Sequence, residues 1–197
     1  MASIKEFYGD NTQLYDSIIK KVNFNLRCCI PGIIQSYNKA TNTAEIQPAI
    51  REEIVNEDNS VSYVNLPLLI NVPILFPMCL NGGVTLPLQQ GDEVLVLFSD
   101  LSYDNFWVHG NIQNPIEVRR HDLSDGLAIP TAISRKNTKY VSDGLNIKLG
   151  NAQIKMLNNE ITFSNSSGQI TLTQMINLLH HKHTAPAMGG ETSTPIY

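Results

Sequence analysis

The stretch GLNIKLGNAQIKMLNNEITFSNSSGQITLTQ, residues 144–174, limits the fold more than any other part of the chain. Apolar residues stand two apart at Ile147/Leu149, Ile154/Met156, Ile161/Phe163 and Ile170/Leu172, and successive pairs begin 7, 7 and 9 residues apart. Polar turn residues separate them: Gly150-Asn151, Asn158-Asn159 and Asn165 to Gly168. In a strand, residues i and i+2 share a face. The pattern therefore predicts very short strands with two apolar side chains on one face of each. Four such strands cannot fold alone. They bury too little surface to offset roughly 1–2 kcal/mol of backbone entropy per ordered residue, and their edges stay open. Three copies wound about a common axis remove both difficulties. The repeat predicts a homotrimer with Ile147, Leu149, Ile154, Met156, Ile161, Phe163, Ile170 and Leu172 in a dry axial column. The plainer alternative is one more hairpin sheet packed on a neighbouring barrel.

Upstream, the chain reads as short strands after one helix. DNTQLYDSIIKKV, residues 10–22, carries Leu14, Ile18 and Val22 as one apolar stripe behind Asp10, Asn11 or Thr12 as cap. CCIPGIIQSY and TAEIQPAIREEIV flank the turn-rich NKATN. Further strands are expected in VNLPLLINVPILFP, VTLPL, EVLVLFSD and WVHGNI, with turns at NEDNS, Asn81-Gly82-Gly83 and Gln90-Gly91-Asp92. The three prolines of VNLPLLINVPILFP confine it to an edge. Five or six strands with short turns fit a small closed barrel. Residues 119–143 lose the apolar pattern and read as a connector.

Composition agrees with an all-β chain. Charged residues make up only 16%, against about 25% in an average domain, and Asn, Thr, Ser and Gln take their place. The net charge is −4, which disfavours nucleic-acid binding. Without an apolar run of transmembrane length or a signal-peptide core, synthesis as a soluble cytoplasmic chain is expected. Cys28, Cys29 and Cys79 lack zinc-site spacing and are odd in number, so buried, reduced thiols are expected.

Near the C-terminus stands HHKHTAPAMGGETSTP. His181 and His183 have strand spacing and face one way, while His180 and Lys182 have the opposite parity. Two imidazoles make an incomplete site. Three chains would bring six to one axis, which suits an octahedral transition metal. Imidazole accepts iron, nickel, copper or zinc, but zinc prefers four ligands, so iron is the first choice. The other reading of these residues is a solvated polar tail.

Taken together, PGIIQSYNKATNTAEIQPAI, GDEVLVLF, RRHDLSDG, the short-strand repeat and HKHTAPAMGGETSTP resemble the central baseplate spike family of contractile-tailed phages and related injection systems, including the phage-Mu-like spikes. The resemblance implies a homotrimer with an N-terminal OB-fold barrel and a C-terminal triple-stranded β-helix. At its apex, one iron ion per trimer would be held by the six histidines at positions 181 and 183. It divides the chain into a hub-docking helix segment (1–24), the barrel (25–118), a connector (119–143), the intertwined shaft (144–180) and a metal-binding apex (181–197). It also implies a virion baseplate tip that contacts a hub or tail-tube protein on its N-terminal side, transiently pierces the bacterial outer membrane and has no enzymatic activity.

Two rival classes are weaker. A cupin-like metal enzyme needs a further histidine after His183, and none follows. Nor do His109, His121, Asp122, Ser124 and Asp125 form a nucleophile motif; HDLSD reads as turn and cap chemistry. An OB module for nucleic acid or saccharide would need a basic groove with stacking aromatics. Tyr103, Phe106 and Trp107 lie instead beside Asp100 and Asp104.

Overall fold

A computed structural model describes residues 11–138 and 143–181. The chain forms two compact units divided between Thr138 and Lys139. The first opens with helix α1 (Asn11–Asn25), followed by strands β1 (Cys29–Asn38), β2 (Thr43–Pro48), β3 (Glu52–Val55), β4 (Val61–Val64), β5 (Leu69–Pro73), β6 (Met78–Cys79), β7 (Gly82–Gly83) and β8 (Glu93–Phe98), helix α2 (Asp104–His109) and strand β9 (Gly126–Pro130). The second contains strands β10 (Leu145–Leu149), β11 (Ala152–Leu157), β12 (Glu160–Asn165) and β13 (Gly168–Thr171), then helix α3 (Leu172–His180). No helix among the described residues is long and apolar enough to cross a membrane.

Five strands of the first unit form one antiparallel sheet in the order β5-β2-β1-β8-β9. The sheet curls until its two edges meet at a single parallel bridge, Ile74 to Ala128, where the Leu75 amide donates to the Ala128 carbonyl at 2.7 Å. Alternation dictates which side chains are enclosed. Val94, Val96 and Phe98 of β8 point inward, as do Ala44 and Ile46 of β2, Ile34 of β1 and Ala128 of β9. Together with Leu69, Val72, Ile74 and Leu88 they make a core of eleven buried residues. Asn42, at φ 54°, turns the chain from β1 to β2, and its side-chain amide donates to the Ile74 carbonyl at 2.9 Å.

Several sequence expectations need correction. WVHGNI is not a strand: Asp104–His109 is a short helix, closed by the Trp107 amide on the Tyr103 carbonyl and the Gly110 amide on the Phe106 carbonyl. Residues 126–130, inside the expected connector, are the fifth strand of the sheet. TAEIQPAIREEIV breaks after Pro48 into β2 and β3, and β3 pairs with β4 in a separate hairpin, because proline cannot donate to the ladder. VTLPL lies outside any strand. The three cysteines are free, as expected, but exposed rather than buried.

Gly32 of β1 shows why this sheet tolerates no side chain at one point. It is buried, and a methyl group there would overlap Ile46 Cγ2 and press on Val94 and Val96 Cγ2 at 3.3 Å. Gly32→Ala is therefore expected to destabilise the first unit by roughly 1–3 kcal/mol, the usual range for overpacking a filled core. Denaturant unfolding measures this, and a variant as stable as the parent contradicts it.

The exit from the sheet is fastened by Glu93. Its carboxylate accepts from the amides of Ile133 and Ser134 at 2.8 and 2.7 Å, the Ser134 hydroxyl at 2.5 Å and the Asn137 amide at 2.6 Å. These bonds, the Ser134 hydroxyl first, lower its pKa from the ordinary 4.5 to about 2. A depressed carboxylate contributes stability that is fully present above 4.5 and is lost as pH falls towards 2. Glu93→Gln should flatten the fall in stability across that acid window, as followed by unfolding at successive pH values. An unchanged slope would assign the acid sensitivity to other carboxylates.

Candidate functional site: an apolar face and its histidine end

In the second unit, tight turns place the apolar pairs opposite one another. Asn158 and Asn159, at φ 49° and 65°, make a two-residue turn of the kind that matches strand twist. Gly150, at φ 58°, opens the turn before it. The resulting meander has the order β10-β11-β12-β13, and all its pairs are antiparallel within one chain.

Register then aligns Ile147 with Ile154, Ile154 with Phe163, and Phe163 with Ile170. A second row joins Leu145, Met156 and Ile161. Directly opposed residues share a face, so both rows and Leu149 lie on the same side of the sheet. Asn146, Lys148, Gln153, Lys155, Thr162 and Ser164 fall on the other. Ile147, Leu149, Ile154, Met156, Ile161, Phe163 and Ile170 thus share one side of a single meander.

No described residue of this unit is buried. Ile147 and Leu149 are 59% and 65% exposed, and Phe163 39%. The face is a surface without an interior in the single chain.

Leu172 departs from the expected pattern. It starts α3 instead of ending a strand, so the strands of the expected shaft stop at Thr171. The cause is a capping box. The Thr171 hydroxyl accepts from the Gln174 amide at 3.1 Å, and the Gln174 side chain accepts from the Thr171 amide at 2.9 Å. Glu160 of β12 also accepts from the Thr173 amide at 3.1 Å, tying the first turn to the sheet. The motif T-x-x-Q was readable at residues 171–174, but the alternation of Ile170 and Leu172 masked it.

The helix ends at His180, and His181 takes an extended conformation, φ −67° and ψ 147°. Its Nδ1 lies against the Leu178 carbonyl. A carbonyl only accepts, so this contact favours a hydrogen on Nδ1 and a basic Nε2. Metal-binding histidines are commonly held in this way. His183 lies outside the described residues.

The first unit holds a different cluster. Asp125 is fully buried, and its carboxylate accepts from Arg119 Nε at 2.6 Å and Nη2 at 3.0 Å. Arg119 also reaches Asp104 at 2.5 Å and Glu117 at 2.7 Å. The hydrogen bond to Asp125, above all, raises the guanidinium's pKa further. Tyr103 donates to the Gly126 carbonyl at 2.8 Å, and burial, then Asp125 and Asp104, push its pKa up to about 12. Next to it, Arg120 forks onto Asp100 at 2.8 and 2.9 Å. His121, at φ 49°, sits between the Arg27 carbonyl at 3.0 Å and Asp100 at 3.3 Å. Asp122 caps a 3-10 turn, Leu123–Asp125, by accepting from Ser124. RRHDLSDG is accordingly a fastening that ties α2 and the approach to β9 onto the sheet, and HDLSD has the turn and cap chemistry expected of it.

Mostly antiparallel strands, a closing sheet and a polar fastening define a β-structural module. Residues 30–131, just over half of the chain, match the family model described as phage protein Gp138 N-terminal domain, and the chain belongs to that family. The matched span runs from β1 to just past β9, so it coincides with the five-stranded sheet and includes the fastening. No curated protein matches the chain.

Removing the guanidinium leaves a buried carboxylate without its donors. Arg119→Ala should cost at least about 1–3 kcal/mol, the penalty for stranding a buried polar group. Asp125→Asn added to that variant should recover part of the loss, because the charge is gone. Equal unfolding midpoints for Arg119→Ala and the parent would refute the assignment.

Proposed function

We propose that this chain is the homotrimeric spike at the tip of a contractile tail tube, a phage baseplate component that pierces the bacterial outer membrane mechanically. The observation that carries the reading is an apolar face across β10–β13, with no buried residue among those described in its unit, that follows a phage-family domain in the same chain. Three such faces turned towards one axis would enclose Ile147, Ile154, Phe163 and Ile170 from water. At about 25 cal/mol per Å² of apolar area, that burial favours assembly strongly over a solvated monomer.

Further parts of the reading have their own support. The order β5-β2-β1-β8-β9, antiparallel throughout and closed by one parallel bridge, supports an OB-type barrel. Leu14, Ile18 and Val22 of α1 are each at least half exposed and offer a surface for a hub or tube protein. Membrane passage needs no spanning helix in this scheme, because contraction supplies the force.

At the apex, His181 and His183 of three chains would hold one iron ion in six-fold coordination. The Nδ1 contact of His181 with Leu178 supports that role, since with Nδ1 held there Nε2 would be the ligating nitrogen. The metal's contribution is structural: site formation and strand ordering become one event, which resists fraying at the end of the shaft.

Sedimentation together with metal analysis of one sample tests the proposal. A species of three times the 21.9 kDa chain mass, carrying one iron per three chains and losing it in His181→Ala/His183→Ala, is expected. A monomer rules the spike out. A trimer with one metal per chain would remove the axial site alone.

A further inference from the structure

Helix α3 has an amphipathic surface that no other described residue of its chain covers. At 100° per residue, Leu172, Met175, Ile176 and Leu179 fall within an arc of about 100°, and Thr173, Gln174 and Asn177 occupy the opposite side. These four apolar residues are 39%, 41%, 45% and 48% exposed, although α3 touches β12 and β13. The helix is not a lid on its own sheet either, since Ile147 and Phe163 remain open with it in place. Nine residues are also too few for a helix to hold itself in water, where lengths below about 12–15 are marginal.

We infer that α3 packs against α3 of two further copies as a short parallel bundle on the threefold axis, setting the axial level at which the histidine ends meet. This deepens the proposed spike and rests on its trimer. Two observations select identical copies as the occupant. First, α3 contains no Asp, Glu, Lys or Arg. In a parallel homotrimer each residue meets its own copy at the same height, so any charge near the seam would be repelled; a neutral helix avoids this. Second, the apolar sheet face runs through Ile170 into Leu172, the first residue of the helical stripe. Whatever covers one therefore continues onto the other.

The bundle also changes the expected tip. The three chains would approach the apex as helices and return to extended backbone only at His181. Helix ends held in register by Met175, Ile176 and Leu179 would bring three copies of His181 to one level before any metal is present.

The test uses the full chain. Ile176→Asn, which puts an amide in the seam, should raise the concentration at which the trimer dissociates at least tenfold; Asn177→Ala, on the polar side, should leave it unchanged. A second measurement does not depend on the fate of that variant. With Cys28, Cys29 and Cys79 replaced by serine, spin labels on Asn177→Cys, on the polar side, should lie within roughly 35 Å of one another, because packed helix axes are about 8–10 Å apart. If the parent is trimeric but Ile176→Asn assembles normally, or the labels lie further apart, the bundle is wrong and the spike reading stands. A monomeric parent overturns both.

Discussion

The described residues of the second unit have an apolar face and no inside. Every described residue from 143 to 181 keeps appreciable contact with water, yet the register lines up isoleucines and phenylalanine across four strands. A lone meander of this size faces a conformational-entropy cost that its buried area cannot meet. That imbalance is the constraint behind the rest of the molecule. It gives the short strands, the two-residue turns and the exposed helix a common cause in the proposed trimer, where each would have its apolar side covered by the other copies.

The first unit solves the same problem differently. Its sheet curls back on itself, so eleven side chains find a dry interior within one chain. Polar fastenings then set the segments around that core. Asp125, with no exposed surface, would be very costly without Arg119, and Arg119 in turn draws in Asp104 and Glu117. Glu93 does similar work at the exit, where it holds residues 133–137. The first unit therefore encloses its own core, whereas the described residues of the second enclose none.

The sequence made the hairpins and the apolar face of the meander readable because both depend on neighbours in sequence. Gly150-Asn151 and Asn158-Asn159 specify their turns locally, and a period of two fixes the face. What escaped depends on context. β9 has only five residues and is a strand because β8 offers an edge. DNFWVH contains aromatic and β-branched residues that suit a strand, but the carbonyls of Tyr103 and Phe106 find amide partners four residues on. At Leu172, two local codes compete over the same residues: the alternation Ile170/Leu172 favours extension and the box Thr171/Gln174 favours a helix start. The box wins because it satisfies two amides that extension would leave to solvent. The cysteines were misjudged by a general tendency of thiols to be buried, which says nothing about an individual loop. Of the paired histidines, only His181 lies among the described residues, so the spacing argument for His183 still stands on sequence alone.

The change from sheet to helix near the end bears on how a narrow apex could be built. Strands in a meander spread sideways, since each new strand adds about 4.7–4.9 Å of width. A helix confines its backbone to a cylinder of about 2.3 Å radius and satisfies its own hydrogen bonds. Three meanders about an axis could not taper without leaving edges unpaired, whereas three helices can. In the proposed trimer, the capping box at Thr171 would therefore mark the point where a broad shaft becomes a thin one, and the neutral stripe from Leu172 to Leu179 would let like residues meet there without repulsion. Extended backbone resumes at His181, the first of the two histidines that the proposed apex would use. A structure that must narrow and still resist axial force gains from this order, because the self-sufficient element occupies the stretch where strand partners run out.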